Sequence, residues 1–393
     1  MFGPPREVMR RFPPASVVGV LLATAFGLAG CDGSQPTASL SVAVRKALPA
    51  HLPKVRGPSA KRPRPPRAEP VDVSWIPDPL FPERRIRVTG KRAPDVRGLA
   101  GSEPPQSQLA PIAANRIEKT PAERGGVDPC ERPDPGYGSY TKWKFLSGFG
   151  KHIQPKRDPV NPQGDFDFIA HFHGADLARM EYVRGDAPIV FLAVDGANRG
   201  YPTMTGHHAL DFLIHDMEHT MKRDSPTGQA RAGHVALAAW SGGYAAIRTV
   251  LQQSEDWKRI DAIILLDGLH APREVPPGTE HLPNFVKFAR RAAAGEAFFF
   301  VSYSSIPTDG HASTTEATRL LLRELGKHPV RVEGEGPGGM ELKEAYSARG
   351  LHTRGYKGGG RLDHCAHLLL YPEVAAALYR YWYPGAGRQG PTP

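Results

Sequence analysis

Residues 234–251, HVALAAWSGGYAAIRTVL, constrain the fold more than any other stretch of the chain. The stretch opens with an apolar run, residues 235–240, that has the length of a buried strand. Apolar residues then return at helical spacing up to Leu251. Between the two parts lies Ser241-Gly242-Gly243, where glycine permits a tight turn. The pattern predicts a strand that turns directly into a helix, with a serine at the turn.

The residues around that serine read Ala239-Trp240-Ser241-Gly242-Gly243, which is close to G-x-S-x-G with Ala in the first place. In such a nucleophile elbow the serine is exposed at the end of a strand. The first N–H groups of the following helix can stabilise an anion beside it. A plain turn can have the same sequence, so the motif alone leaves both interpretations open.

Charge is distributed unevenly along the 393 residues, whose net charge is +10. Residues 1–124 hold 20 Lys and Arg against 10 Asp and Glu, and the remainder holds 30 against 30. Because the excess positive charge lies outside the C-terminal part, the composition argues against a nucleic-acid-binding domain. We expect a globular domain at residues 126–386, a basic segment before it and a flexible tail at residues 387–393.

The first 31 residues have the pattern of an export signal. Arginines precede an apolar run at residues 15–29, which is short for a membrane span but has the length of a signal-peptide core. The run ends in Leu28-Ala29-Gly30-Cys31, which resembles the lipobox of bacterial lipoproteins. The resemblance implies removal of residues 1–30 and a lipid on Cys31. The protein would then be anchored to a membrane of the bacterial cell envelope, on its periplasmic side or at the cell surface. An ordinary secretory signal is the alternative.

Residues 31–125 are rich in Pro, Arg, Ser and Ala, as in AKRPRPPRAEP at residues 60–70. Apolar residues are sparse there and show no sustained period. Such a segment cannot bury enough surface to offset the entropy of the chain. We therefore predict a disordered tether.

Strand-like and helix-like patterns alternate after Cys130. The predicted strands are residues 166–172, 188–194, 235–240, 260–266, 297–303 and 351–356. The predicted helices are residues 209–222, 244–251, 283–294, 313–325 and 372–382, and the fourth opens with a capping box, Ser313-Thr314-Thr315-Glu316. This order predicts an α/β fold, with a mostly parallel sheet and helices on both faces.

Polar residues collect at the predicted carboxyl ends of the strands, where function resides in such sheets. They are His171, His173, Ser241, Asp267, Asp309 and His364. A serine, an acid and a histidine in this chain order are the groups needed for acyl transfer.

The serine turn, the His-Gly loop and the order Ser, Asp, His resemble the α/β-hydrolase fold over residues 130–385. The resemblance implies an oxyanion hole formed by Gly242 and the Gly174-Ala175 segment. It leaves two candidates for the acid: Asp267, which we favour because it ends an apolar strand directly, and Asp309.

The resemblance also leaves two candidates for the base. His364 is favoured because it follows the glycine-rich loop at residues 358–360. His367 is then the alternative, or a structural neighbour of the site.

Two further sets of residues have alternative interpretations. Cys130 and Cys365 can form a disulfide in an oxidising compartment, which would hold His364 in place, or Cys365 can be a buried thiol. His171 and His173 lie two residues apart on a strand and share a face, so a metal site is conceivable. We expect neither a metal nor a cofactor.

The function expected from the sequence is a lipid-anchored serine hydrolase of the cell envelope. Its substrate would be a small molecule, glycan or peptide with a polar ester or amide, and the protein would be a monomer. The first alternative is a non-catalytic binding or scaffolding lipoprotein of the same fold. The second is a metal-dependent enzyme that uses the His171-Phe172-His173 loop.

Overall fold

Strands that are apolar on both sides form the centre of the protein. In the computed structural model, which describes residues 75–89, 118–146, 150–194, 208–253, 256–272, 282–308 and 311–385, the sequences VFLAV, AIILL and FFFVSY are strands buried along their whole length. A strand buried on both faces requires helices above and below it, which is the arrangement of a parallel sheet.

The described strands are β1 (Trp75–Pro77), β2 (Arg85–Val88), β3 (Lys144–Phe145), β4 (Lys151–Ile153), β5 (Asp165–Phe172), β6 (Val190–Val194), β7 (Arg231–Trp240), β8 (Ala262–Leu266), β9 (Ala271–Pro272), β10 (Phe298–Tyr303), β11 (His311–Ala312), β12 (Val330–Glu335), β13 (Glu341–Ala348) and β14 (Leu351–Tyr356). The described α-helices are α1 (Ala175–Tyr182), α2 (Ala209–Asp224), α3 (Tyr244–Gln252), α4 (Leu282–Ala294), α5 (Thr314–Glu324), α6 (Arg361–Ala366) and α7 (Tyr371–Trp382).

Twelve of the described strands form one sheet, in the order β1-β2-β12-β13-β14-β10-β8-β7-β5-β6-β4-β3. The six from β14 to β6 are parallel. Antiparallel strands extend the sheet on both sides. The two remaining strands, β9 and β11, form a separate ladder.

Helices cover both faces of this sheet. Apolar residues of α2, α3, α4 and α5 pack on one face, and those of α1 and α7 pack on the other. Alternate residues of β5, such as Phe168 and Ile169, point into the two different clusters. The predicted fold class is therefore confirmed, and the sheet is mixed because antiparallel strands lie outside its parallel centre.

The predicted elements of the central sheet lie within a few residues of the observed ones. The capping box is also observed: the Ser313 hydroxyl accepts from the Glu316 N–H at 3.2 Å, and the Glu316 carboxylate accepts from the Ser313 N–H at 2.7 Å. The helices α1 and α6 and the strands β3, β4, β9, β11, β12 and β13 were not predicted.

The prediction of a disordered tether over residues 31–125 is wrong for its described parts. Strands β1 and β2 join the sheet through β12. Leu80, Phe81 and Ile86 are buried. Residues 118–124 pack beside helix α6. Arg124 is buried there and contacts Asp363. A few well-placed apolar residues are enough here because the sheet supplies the surface that they cover.

Several predictions concern residues outside the described ranges. They are the signal peptide at residues 1–30, Cys31, the rest of the tether, Asp309 and the tail at residues 387–393. All described residues belong to one unit, Ala68–Pro393. Among them, none of the helices combines the length and the apolar character needed to span a bilayer.

A buried ion pair ties the β1–β2 segment to the sheet. Arg354 on β14 is fully buried, and its Nε donates to Asp78 Oδ2 at 2.9 Å. Burial raises the pKa of Asp78, whereas the Arg354 guanidinium and the N–H groups of Leu80 and Phe81 lower it, and the net shift is downward. The pair therefore stabilises the fold above the unfolded-state pKa of Asp78, and this stabilisation is lost as the pH falls through the folded-state pKa.

We expect Asp78→Asn to lower the free energy of unfolding by about 3–5 kcal/mol, because it leaves the Arg354 charge buried without a counter-charge. Urea denaturation at neutral pH measures the change. The control is Glu333→Gln, which removes an ion pair between the partly exposed side chains of Arg87 and Glu333 and should cost less than about 1 kcal/mol. Equal effects of the two substitutions would contradict this account of the β1–β2 segment.

Candidate active site

Ser241 lies at a strained turn between β7 and α3. Its φ is +53°, a conformation that residues with a side chain rarely adopt. Two glycines make the turn possible. A Cβ on Gly243 would overlap the carbonyl oxygen of Phe172 at the end of β5, and a Cβ on Gly268 would lie 2.8 Å from the Ser241 carbonyl oxygen. The serine is therefore fixed by the close approach of three neighbouring strand ends.

Asp267 directly follows β8 and is 2% exposed. Its Oδ1 accepts hydrogen bonds from the Ser304 N–H at 2.8 Å and the Thr314 hydroxyl at 2.6 Å. Its Oδ2 lies 2.7 Å from Nδ1 of His364. Burial raises the pKa of Asp267, whereas the neighbouring imidazoles of His367 and His364 and these hydrogen bonds lower it, and the net shift is downward. The carboxylate is therefore ionised at neutral pH.

The ionised carboxylate fixes the tautomer of His364. Since both oxygens of Asp267 act as acceptors, Nδ1 of His364 must donate, which leaves Nε2 as the acceptor nitrogen of the neutral ring. His364 and Ser241 line the same cavity. The structure thus brings together the serine, the favoured acid and the favoured histidine of the sequence analysis.

Trp240, the residue before the serine, holds the His364 ring from one side. The two rings stack with centroids 4.8 Å apart and planes inclined by 27°. The indole Nε1 also donates to the main-chain carbonyl of His364 at 3.2 Å. The sequence analysis missed this role, although an aromatic residue within the serine motif is a visible signal.

His367, the alternative base, is buried behind the cavity. It is 1% exposed and its Nδ1 hydrogen-bonds the Ser302 hydroxyl at 2.8 Å. Burial lowers its pKa to about 4, so the ring is neutral at pH 7. It does not line the cavity that holds Ser241. The other alternative, Asp309, lies outside the described residues.

The His-Gly loop follows β5 and packs beside the serine turn. Its His171 is fully buried; Nε2 donates to the His173 carbonyl at 2.8 Å, so Nδ1 accepts from the Tyr371 hydroxyl at 3.0 Å. Burial lowers the pKa of His171 to about 3, which keeps the ring neutral. Gly174, at φ +70°, caps α1 at Ala175, and a Cβ there would lie 2.8 Å from the Trp240 ring.

Both ring nitrogens of His171 are bonded within the protein, Nε2 to the His-Gly loop and Nδ1 to Tyr371 at the start of α7. His173 stacks on Trp240, with ring centroids 5.7 Å apart. Within the described parts of the chain, His, Cys, Asp and Glu side chains form no group of three or more that could hold a metal ion.

The cavity has a volume of about 460 Å³; most of its lining side chains are polar, but most of the surface that they expose to it is apolar. Ser241, Asp267 and His364 line it. The other lining side chains are His270, Ser304, Ile306, Thr308, Thr314 and Arg361. A cavity of this size can hold a small molecule or part of a larger one.

Helix α6, which carries His364, is linked to residues 118–130. Cys130 and Cys365 form a disulfide with Cα atoms 5.2 Å apart. Arg124 forms an ion pair with Asp363. The disulfide was one of two alternatives predicted from the sequence, whereas the ion pair was not predicted.

No family model matches the chain, and no curated protein does. Similar solved structures include the esterase LipW from Mycobacterium marinum, at 12% identity over 60% of this chain and 77% of that chain, with a TM-score of 0.34. The carboxylesterase CesB from Bacillus subtilis is 11% identical over 64% and 94% of the two chains, with a TM-score of 0.33. Carboxyl esterase 2 from the fungus Tuber melanosporum is 12% identical over 63% and 89%, with a TM-score of 0.34.

The two glycines after Ser241 provide a test of the strained turn. We expect Gly243→Ala to lower the melting temperature by several degrees, because its Cβ would overlap main-chain atoms of β5. A Cβ on Gly242 meets nothing within 4 Å, so Gly242→Ala should change the free energy of unfolding by less than about 0.5 kcal/mol. Thermal unfolding of both variants measures the difference, and similar melting temperatures would show that the turn is not closely packed.

Proposed function

We propose that the protein is a serine hydrolase in which Ser241 is the nucleophile, His364 the general base and Asp267 the residue that orients the base. The observation that carries the proposal is the 2.7 Å hydrogen bond between Asp267 and His364, formed at the cavity that Ser241 also lines. A nucleophile, a base and a group that orients the base are the components of acyl transfer.

In the proposed reaction, Nε2 of His364 takes the proton of the Ser241 hydroxyl as the oxygen attacks an ester or amide carbonyl. Asp267 stays ionised and stabilises the imidazolium that forms. His364 then gives the proton to the leaving alcohol or amine. A water molecule, deprotonated by His364, hydrolyses the acyl-enzyme and regenerates the serine.

Main-chain N–H groups are the proposed donors to the oxyanion. They belong to Gly242, in the first turn after the serine, and to Gly174 or Ala175 in the His-Gly loop. These two segments lie close together, since a Cβ on Gly243 would overlap the Phe172 carbonyl oxygen. Loss of one such donor typically costs about 3 kcal/mol of transition-state stabilisation.

The polar and charged side chains at the cavity support a polar substrate. Thr308, Arg361 and His270 offer hydrogen bonds and positive charge, and Ile306 is the one aliphatic side chain among the described lining residues. Most of the exposed cavity surface is apolar, and it would contact the uncharged parts of such a substrate. We therefore propose a polar ester or amide, from a small molecule, a glycan or a peptide, as the substrate.

Fluorophosphonate labelling tests the nucleophile and the base. The wild-type protein should be labelled, Ser241→Ala should not react, and His364→Gln should react at least about 100-fold more slowly because the serine loses its base. His367→Gln is the control for the alternative base, and its folded fraction should be labelled nearly as fast as the wild type. A folded wild-type protein that is not labelled would favour the non-catalytic binding lipoprotein.

We also propose that the protein is attached to a membrane of the cell envelope through a lipid on Cys31. The support is the sequence Leu28-Ala29-Gly30-Cys31 behind an apolar run. Expressed in a bacterium fed an alkyne fatty acid, the wild-type chain should incorporate the label and sediment with membranes. Cys31→Ser should do neither, and Cys130→Ser is the control for a general loss of cysteine. Label retained in Cys31→Ser would refute the anchor.

A further inference from the structure

We propose that residues 118–130, here called the strap, position His364 for catalysis and that Arg124 is the central positioning residue of this segment. The inference rests on the proposed function only in taking His364 as the base. Residues 118–125 were predicted to belong to a disordered tether. The strap nevertheless contacts α6 on both sides of His364.

Arg124 makes the central contact of the strap. Its side chain is fully buried and forms an ion pair with Asp363, the residue directly before His364. Nη1 donates to the Gly338 carbonyl at 2.8 Å and Nε donates to the Lys119 carbonyl at 3.2 Å. The guanidinium therefore binds three partners at once, one within the strap and two in other segments, which a planar cation with several donors can do.

Asp363 transmits this contact to the wall of the cavity. Its Oδ2 accepts from the N–H groups of Gly359 at 2.8 Å and Gly360 at 3.2 Å. Both glycines line the cavity beside His364. The ion pair thus fixes the glycine-rich loop and the first turn of α6 relative to Arg124.

Two more contacts complete the attachment. Glu118 accepts a hydrogen bond from the Leu362 N–H, and Cys130 is bonded to Cys365. The strap therefore contacts residues 362, 363 and 365. The main chain on both sides of His364 is held in place by these contacts.

Helix α6 continues through residues 367–370 into α7, and its first turn directly follows the glycine-rich loop. The first turn of a helix has N–H groups without partners inside the helix, so contacts from outside help to fix its position. Asp267 and Trp240 orient the imidazole ring, whereas the strap fixes the main chain from which the ring projects. A displacement of about 1 Å at a catalytic group can lower the rate about 100-fold.

The test compares Arg124→Lys with Arg354→Lys in the full-length protein. Lysine keeps the charge but cannot reach three partners. Arg354 is a matched control, because its side chain is also fully buried and binds Asp78 and two main-chain carbonyls away from His364. The first measurement is the fluorophosphonate labelling rate per folded molecule. We expect it to fall roughly 10- to 100-fold in Arg124→Lys and to stay within about twofold of wild type in Arg354→Lys.

The second measurement does not depend on catalysis. The Nδ1 proton of His364, held in a short charge-assisted hydrogen bond, should give a far-downfield proton resonance that His364→Gln removes. We expect this resonance to be lost or broadened in Arg124→Lys and kept in Arg354→Lys. If Arg124→Lys does not fold, Cys130→Ser tests the other side of the strap. Its loss of rate should be smaller because the ion pair remains.

The two measurements separate the two proposals. Loss of the resonance in Arg124→Lys, in a protein that is not labelled even as wild type, would support the strap and refute the serine hydrolase. Normal labelling and an unchanged resonance in Arg124→Lys would refute the strap and leave the hydrolase standing. Equal effects of the two lysine substitutions would also refute the strap, since any buried arginine would then have the same influence.

Discussion

The buried carboxylate of Asp267 is the constraint on which the site depends. A charge that is 2% exposed must be compensated by hydrogen bonds or by an opposite charge. Its partners come from separate elements: Ser304 after β10, Thr314 at the start of α5, and His364 on α6. The ends of β8 and β10 and the starts of two helices must therefore meet at one point. The same requirement that stabilises the charge also sets the orientation of the histidine.

The sequence singled out Ser241, Asp267 and His364, which line one cavity, because Ser241 and Asp267 follow strands whose apolar runs are easy to recognise. It did not indicate Ser304 and Thr314, which also bind Asp267. His364 was distinguished from His367 by the glycine-rich loop before it. The contacts that hold these residues could not be predicted in the same way. Arg124 and Asp363 are 239 positions apart, and no local pattern marks one as the partner of the other. Such pairs become evident only when the chain has folded.

The error over the β1–β2 segment has a similar origin. The sequence WIPDPLFPERRIRV has prolines and arginines where a strand would show alternation, and its strands are three and four residues long. Composition describes whether a segment can fold by itself. It does not describe whether a sheet formed by the rest of the chain can accept that segment at its edge. The buried ion pair between Asp78 and Arg354 is one of the contacts by which the sheet binds this segment.

The two outermost strands also affect how the molecule meets other molecules. A sheet edge presents unpaired main-chain groups, and a long, flat edge invites another chain to add a strand. In the described sheet, one edge is β1, with three residues that include Pro77, and the other is β3, with two residues that include Lys144. Short edges that carry proline and lysine protect against aggregation. This twelve-stranded sheet therefore offers very little free main chain for edge-to-edge assembly.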